Sequence, residues 1–147
     1  MQAKEMWDLF AKGKGLENEV YEAWAFGAEP DKLAELVVKG IKTGTASAYD
    51  LYEIEDEPLP QVGEYSVILD SHDEAVCIIK TTKVYVVPFC EVSEEHAYKE
   101  GEGDRSLDYW RNVHEAVFTE WLGEAGIAFS ENMKVVCEEF EVVYKEN

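Results

Sequence analysis

The sequence predicts an α+β fold, a small β-barrel carrying amino-terminal helices and one long amphipathic helix before its last strand. Three observations predict it. The apolar spacing is helical up to about Gly40, becomes strand-like from Lys42 to Pro88, and returns to helical spacing after Ser106 before a closing run from Met133 to Tyr144. No repeat or low-complexity linker divides the 147 residues, a length that ordinarily shares one core, so a single domain over 1–147 is expected, with 1–40 as a helical part packed on the barrel. Apolar residues make up 46% of the chain and aromatics 12%, enough to place Trp7, Trp24, Trp110 and Trp121 in that core as faces of helices.

Taken in order, Trp7 and Phe10 share one face of a first helix, and Val20, Ala23 and Trp24 one face of a second. Leu33, Leu36 and Val37 belong to a third helix, which starts after the turn Glu29-Pro30-Asp31 and stops at Gly40. Tyr65 to Leu69 reads as a strand after a Pro-rich entry, Ser71 to Glu74 as a hairpin turn, and Ala75 to Val87 as a long β-branched strand. Ser106 is a good N-cap, and Leu107, Trp110, Val113, His114, Val117, Phe118, Trp121 and Leu122 keep the three/four spacing of a buried stripe. In the last strand Val135 and Cys137 share one parity and Phe140, Val142 and Tyr144 the other, which predicts a bulge near Glu138 and Glu139.

Charge and cysteine content exclude several classes. Thirteen Lys and Arg against thirty-two Asp and Glu leave a net charge of −19, which repels long duplex nucleic acid and suits a small nucleoside or a short single strand. The three cysteines are widely spaced, without a CxxC pair or clustered histidines, so neither a disulfide framework nor a metal site is expected. The first ten residues, MQAKEMWDLF, are charged rather than a signal core, and no apolar run is of spanning length, so the expectation is a cytoplasmic protein without membrane association.

Two segments can carry chemistry. Gly40-Ile41-Lys42-Thr43-Gly44-Thr45-Ala46-Ser47 gathers one lysine and three hydroxyls around two glycines after a helix. A lysine beside a hydroxyl can serve as its base, but in a regular strand Lys42 and Thr45 point to opposite faces, so convergence requires a turn or bulge at Gly44. The alternative is a helix cap leading into a Thr-rich strand, and the GxxxxGK[ST] spacing of a phosphate loop is absent. The second segment, Glu94 to Ser106, offers five carboxylates with His96, Tyr98 and Arg105 on a glycine-bent loop; a solvated acidic loop is its plainer reading. His114, inside the apolar stripe, reads as a core histidine. Lys80, Lys83, Lys99, Arg105 and Arg111 would make a positive region in this acidic protein if the fold gathers them.

GIKTGTAS resembles the G-x-K-T-x-T signature of ASCH domains, a PUA-like family. The stretches Tyr49 to Tyr52, Pro58 to Tyr65, Val76 to Val84 and EEHAYKEGEGDRSLDYWRNVHE are similar to a longer, helix-decorated branch of that family. The resemblance covers nearly the whole chain and implies a PUA-like barrel whose cleft binds a nucleoside or RNA. Small bacterial members are amidohydrolases of N4-acetylcytidine; their lysine, threonine and glutamate fall on Lys42, Thr45 and Glu100, which the resemblance therefore implies as catalytic. Where the small enzymes carry an arginine, this chain has Ser47. Thr43, Ser47, Tyr49, Lys80, Lys83, His96, Tyr98, Arg105 and Arg111 are the candidate substrate contacts. The resemblance also admits a non-catalytic module for RNA or a modified nucleoside, and a ribonuclease acting on single-stranded RNA. No cofactor or metal is implied; a nucleoside or short single-stranded RNA is the expected partner, with a second copy of the chain as a further candidate.

Overall fold

A computed structural model describes residues 1–146. Its elements are α1 (Ala3–Ala11), β1 (Tyr21–Ala25), α2 (Pro30–Val38), β2 (Gly44–Ala48), α3 (Tyr49–Ile54), β3 (Tyr65–Leu69), β4 (Ala75–Pro88), α4 (Glu94–Glu100), α5 (Leu107–Glu124) and β5 (Lys134–Lys145), with a short 3₁₀ turn at Phe89–Glu91. The strands form one curled half-barrel sheet in the order β1-β3-β4-β5-β2. β1 runs parallel to β3, and the other pairs are antiparallel.

The expected second helix is instead strand β1, whose residues pair one for one with β3 from Tyr21↔Tyr65 to Ala25↔Leu69. Three apolar residues within five positions fit either period, and the open edge of β3 decides for strand. Val20, expected on the buried face, is 83% exposed. A second correction is α3, a helix of six residues inside the stretch read as strand. α2 begins with Pro30 in its first turn and ends as expected: Gly40, at φ +76°, turns the chain so that the Ile41 and Lys42 amides both donate to the Leu36 carbonyl, at 3.0 and 3.1 Å.

α5 is capped by Ser106, whose hydroxyl accepts from the Tyr109 amide at 3.1 Å. Its buried stripe, Trp110, Phe118 and Leu122, packs with Phe89, Val135 and Cys137. Each fully buried side chain of this size contributes about 1.5–3 kcal/mol. α2 covers a second cluster containing Phe26, Ile68, Cys77 and Phe140, and α1 a third in which Met6, Trp7 and Phe10 meet Val67 and Ile78.

These clusters explain the parity change in β5. Val135 and Cys137 serve the α5 cluster, whereas Phe140 and Val142 serve the α2 cluster, so both faces of one strand are covered. An irregularity does lie near Glu138 and Glu139, but β5 itself carries no extra residue there. At that level the extra residue belongs to β4 instead, where Thr82 is skipped between the pairs Thr81↔Phe140 and Lys83↔Glu139; a second shift further along β5 skips Val143 between Ile78↔Tyr144 and Ile79↔Val142. No helix of the described residues is long and apolar enough to cross a membrane.

Candidate functional site

Between the edge strands β1 and β2 and the exposed side of α5 lies a cavity of about 790 Å³, within the size range of small-molecule sites. Trp24, Phe26 and Trp121 give it aromatic walls, so two of the four tryptophans line a cleft, and Trp24 does so from a strand. Trp7 and Trp110 are core residues as expected.

Lys42 enters the cavity because it precedes β2; the predicted requirement for a bulge at Gly44 does not arise, since that strand begins at Gly44 itself. Gly44 meets a different demand. A Cβ there would stand 3.1 Å from the Glu138 carbonyl and 3.5 Å from the His96 ring, so the glycine permits β2 to lie close to both β5 and α4. Thr43 does not line this cavity; its amide donates to the Lys99 carbonyl at 2.7 Å and its carbonyl accepts from the Phe140 amide at 3.0 Å. Thr45 and Ser47 line the cavity with Lys42, and the Ser47 hydroxyl is 2.8 Å from the Tyr52 hydroxyl.

Glu100 is presented by α4, a helix where the sequence reading placed a loop; Ser93 caps it by accepting from the His96 amide at 3.0 Å. His96 and Glu100 stand four residues apart on one face, and His96 Nε2 is 2.7 Å from Glu100 Oε2. Trp110 Nε1 donates to the same oxygen at 2.6 Å. The other oxygen, Oε1, faces Lys42 Nζ at 3.4 Å and His114 Nε2 at 3.5 Å. Lys42 Nζ also pairs with Glu102 Oε2 at 3.0 Å and stands 5.3 Å over the Phe26 ring.

Burial alone would push the Glu100 carboxyl up, but the Lys42 charge and the His114 and His96 hydrogen bonds outweigh it and hold Glu100 well below the usual carboxylate range. His114 shows the converse balance. Burial opposes its charging, yet the hydrogen bond and charge of Glu100 raise its pKa. The His114 ring stacks on Trp110 with centroids 4.1 Å apart, and its Nδ1 lies 2.8 Å from the Trp110 carbonyl, one turn back. That carbonyl can only accept, so Nδ1 carries a proton and Nε2 faces Glu100. The supposed core histidine is thus a wall of the cavity.

Glu138 lines the cavity from β5, paired across the strands with Thr45. Burial, followed by the charges of Glu64, Glu22 and Glu100, pushes its carboxyl up to about 7.

The expected positive region does not form. None of Lys80, Lys83, Lys99, Arg105 and Arg111 is among the residues lining the cavity. Lys80 lies over the Tyr65 ring, while Lys83 and Lys99 pair with Glu139. Arg111 donates to the Cys90 carbonyl. Arg105 stacks 3.6 Å over Tyr98 and donates to the carbonyls of Tyr98 and Ile41, tying the loop after α4 to the segment before Lys42. Tyr49 lies under Lys134, and His96 is buried behind Glu100, both off the cavity. The cations present are dispersed because each finds a nearer carboxylate, carbonyl or ring in so acidic a chain.

The ASCH domain family model matches residues 22–144. The chain belongs to the ASCH domain family. The crystal structure of an ASCH domain from Lactobacillus crispatus is similar at 31% identity and a TM-score of 0.90, over 96% of this chain and 93% of that one. A protein from Enterococcus faecalis is 38% identical with a TM-score of 0.87, over 95% and 86%. A mutant ASCH protein from Zymomonas mobilis, 14% identical with a TM-score of 0.52 over 86% and 73%, shares the fold alone. A comparison with curated proteins finds no match.

For this ASCH domain, sequence reading reached Lys42, Thr45, Ser47 and Glu100 but missed Glu102, His114, Glu138, Tyr52 and the aromatic walls. One local signal was available: Trp110 and His114 are four apart, and a histidine on that turn can stack on the indole and back-bond to its carbonyl. Glu138 offered none, because its partners come from other strands. Among the described residues no group of three or more His, Cys, Asp or Glu is placed to hold a metal ion.

Proposed function

We propose that this ASCH domain hydrolyses the amide of a small acylated nucleoside of the N4-acetylcytidine type. The observation that carries the reading is the buried Lys42, held by Glu100 and Glu102 in the same cavity as the Thr45 hydroxyl. Thr45 attacks the amide carbonyl and its proton passes to Lys42, which releases one to Glu102, 3.0 Å away. Glu100 stays ionised throughout and orients the Lys42 amine. The aromatic walls suit a nucleobase, and a cavity lined by Glu22, Glu57, Glu64, Glu100, Glu102 and Glu138 disfavours phosphate groups.

A second reading, a binding module without turnover, draws on Ser47. Its hydroxyl is engaged with Tyr52, and among the described residues lining the cavity there is no arginine. Phosphodiester cleavage has less support, because the arginines and lysines it needs lie off the cavity.

Incubation of the protein with N4-acetylcytidine and other acylated nucleosides, followed by mass spectrometry, tests the proposal. Time-dependent loss of the acyl mass is expected; binding without loss of the acyl group would favour the module.

A further inference from the structure

Amide hydrolysis by this site lacks one component. The departing amine nitrogen must receive a proton as the C–N bond breaks, and Glu100 is unsuited to supply it. Its carboxylate is surrounded by Lys42, His96, Trp110 and His114 and is held in the ionised form. Lys42 and Glu102 are occupied with the proton of the attacking hydroxyl.

We propose that Glu138 is the catalytic acid of this reaction, donating its proton to the departing amine and recovering one from water in the second half-reaction. Thr45 and Glu138 are directly opposed residues of β2 and β5 and both line the cavity. Side chains of such a cross-strand pair lie on the same face, with Cβ atoms about 4.5–5.5 Å apart. A carboxyl there stands beside the carbonyl that Thr45 attacks, on a rigid strand instead of a loop.

The surroundings leave that carboxyl free and favour its protonated form. Among the described residues no hydrogen-bond donor or cation holds Glu138 in the ionised form. The groups facing it are Glu22 on β1, Glu64 ahead of β3, Glu100 on α4 and the Tyr52 hydroxyl on α3, while Cys137, next to it in β5, turns to the other face. The nearby cations are committed elsewhere, Lys42 to Glu100 and Glu102, and Lys83 and Lys99 to Glu139, while the His114 ring faces Glu100. With burial, this pushes Glu138 up to about 7, where a group is half protonated at neutral pH and can both give and take a proton.

The reaction then balances. In acylation the Thr45 Oγ–C bond forms and the amide C–N bond breaks, the hydroxyl proton ending on Glu102 through Lys42 and the Glu138 proton on the amine. In deacylation water adds to the Thr45 ester, one of its protons returns to Glu138, and the ester C–O bond breaks. Thr45 Oγ recovers its proton from Glu102 through Lys42. The products are the free amine and a carboxylic acid, and every enzyme group is restored.

This role rests on the acylated-nucleoside reading, and the experiment separates the two. Hydrolysis of N4-acetylcytidine and of 4-nitrophenyl acetate, whose phenoxide leaves without being protonated, is measured from pH 5 to 9 for the wild type and for Glu138→Gln. The expected result is a fall of about 100-fold or more in kcat on the amide, the scale of general-acid catalysis, with KM little changed. The first-turnover release of 4-nitrophenoxide, which reports acylation alone and not the deacylation common to both substrates, should fall far less, and the decline of wild-type amide kcat above about pH 7 should be missing from the variant. Unchanged amide turnover in Glu138→Gln, or a loss in first-turnover 4-nitrophenoxide release equal to that on the amide, overturns the role of Glu138 and leaves the acylated-nucleoside reading standing. Wild-type protein inert toward both substrates overturns the two together.

Discussion

Lys42 and Glu100 meet across 58 residues of chain, Nζ 3.4 Å from Oε1, and each side chain is at most 2% exposed. A buried pair of this kind costs desolvation on both sides and is held only because the remaining donors and acceptors are also satisfied. Removing Lys42 leaves Glu100 buried without the ammonium charge that faces it. Lys42→Met is therefore expected to destabilise the protein by about 3–5 kcal/mol, read from the midpoint of urea unfolding. A change under about 1 kcal/mol would mean that Glu100 does not depend on Lys42 for its charge.

The catalytic proposal predicts a non-additive pair. Lys42→Ala and Thr45→Ala should each abolish most turnover of a confirmed substrate, and the double variant should be little worse than either, because the two groups act in one chemical step. Substantial hydrolysis by Thr45→Ala would instead point to water as the nucleophile.

Stability should depend on pH in opposite directions at two glutamates. Glu100 has a lowered pKa, so its contribution is present above the unfolded value of 4.5 and is lost as pH falls through the depressed folded value. Glu138 has a raised pKa: the folded state binds the extra proton between 4.5 and about 7, so stability declines as pH rises through that window. Glu138→Gln should accordingly stabilise the fold at pH 8 by about 2–3 kcal/mol relative to wild type, with the difference vanishing near pH 4. Thermal unfolding of both proteins at the two pH values checks this; equal shifts at both would show that packing, not ionisation, is responsible.

Gly101 closes α4 at φ +74°, and a Cβ there would stand 2.6 Å from the Ile41 carbonyl oxygen. Gly101→Ala should cost more than the roughly 1 kcal/mol of a left-handed alanine, because backbone must also move. The segment displaced leads into Lys42, so turnover should fall as well as the unfolding midpoint. A variant with wild-type values for both would show that this approach is not tight.

Much of the fold was legible from local chemistry. The Ser106 cap, the apolar stripe of α5, the Gly40 stop and the strands of the hairpin around Ser71 to Glu74 each depend on residues within a few positions of one another, and each formed as expected. Lys42, Thr45 and Glu100 were reached through a family signature, and all three line one cavity. The identity of β1 was not legible, because Val20, Ala23 and Trp24 fit both periods until the edge of β3 is there to pair with.

Glu138, His114 and the basic residues mark where local information ends. The chain's composition dictates that thirteen cations must share thirty-two carboxylates, but not which carboxylate each one meets. That choice depends on strands and helices brought together from distant parts of the chain. It sends Lys83 and Lys99 to Glu139, sends Lys42 to Glu100 and Glu102, and leaves Glu138 beside Thr45 among other acids. Hydrogen-bonded caps and apolar periodicity act over a few residues and can be read along the chain, whereas the protonation state of a buried carboxyl is set by charges and solvent exclusion in three dimensions.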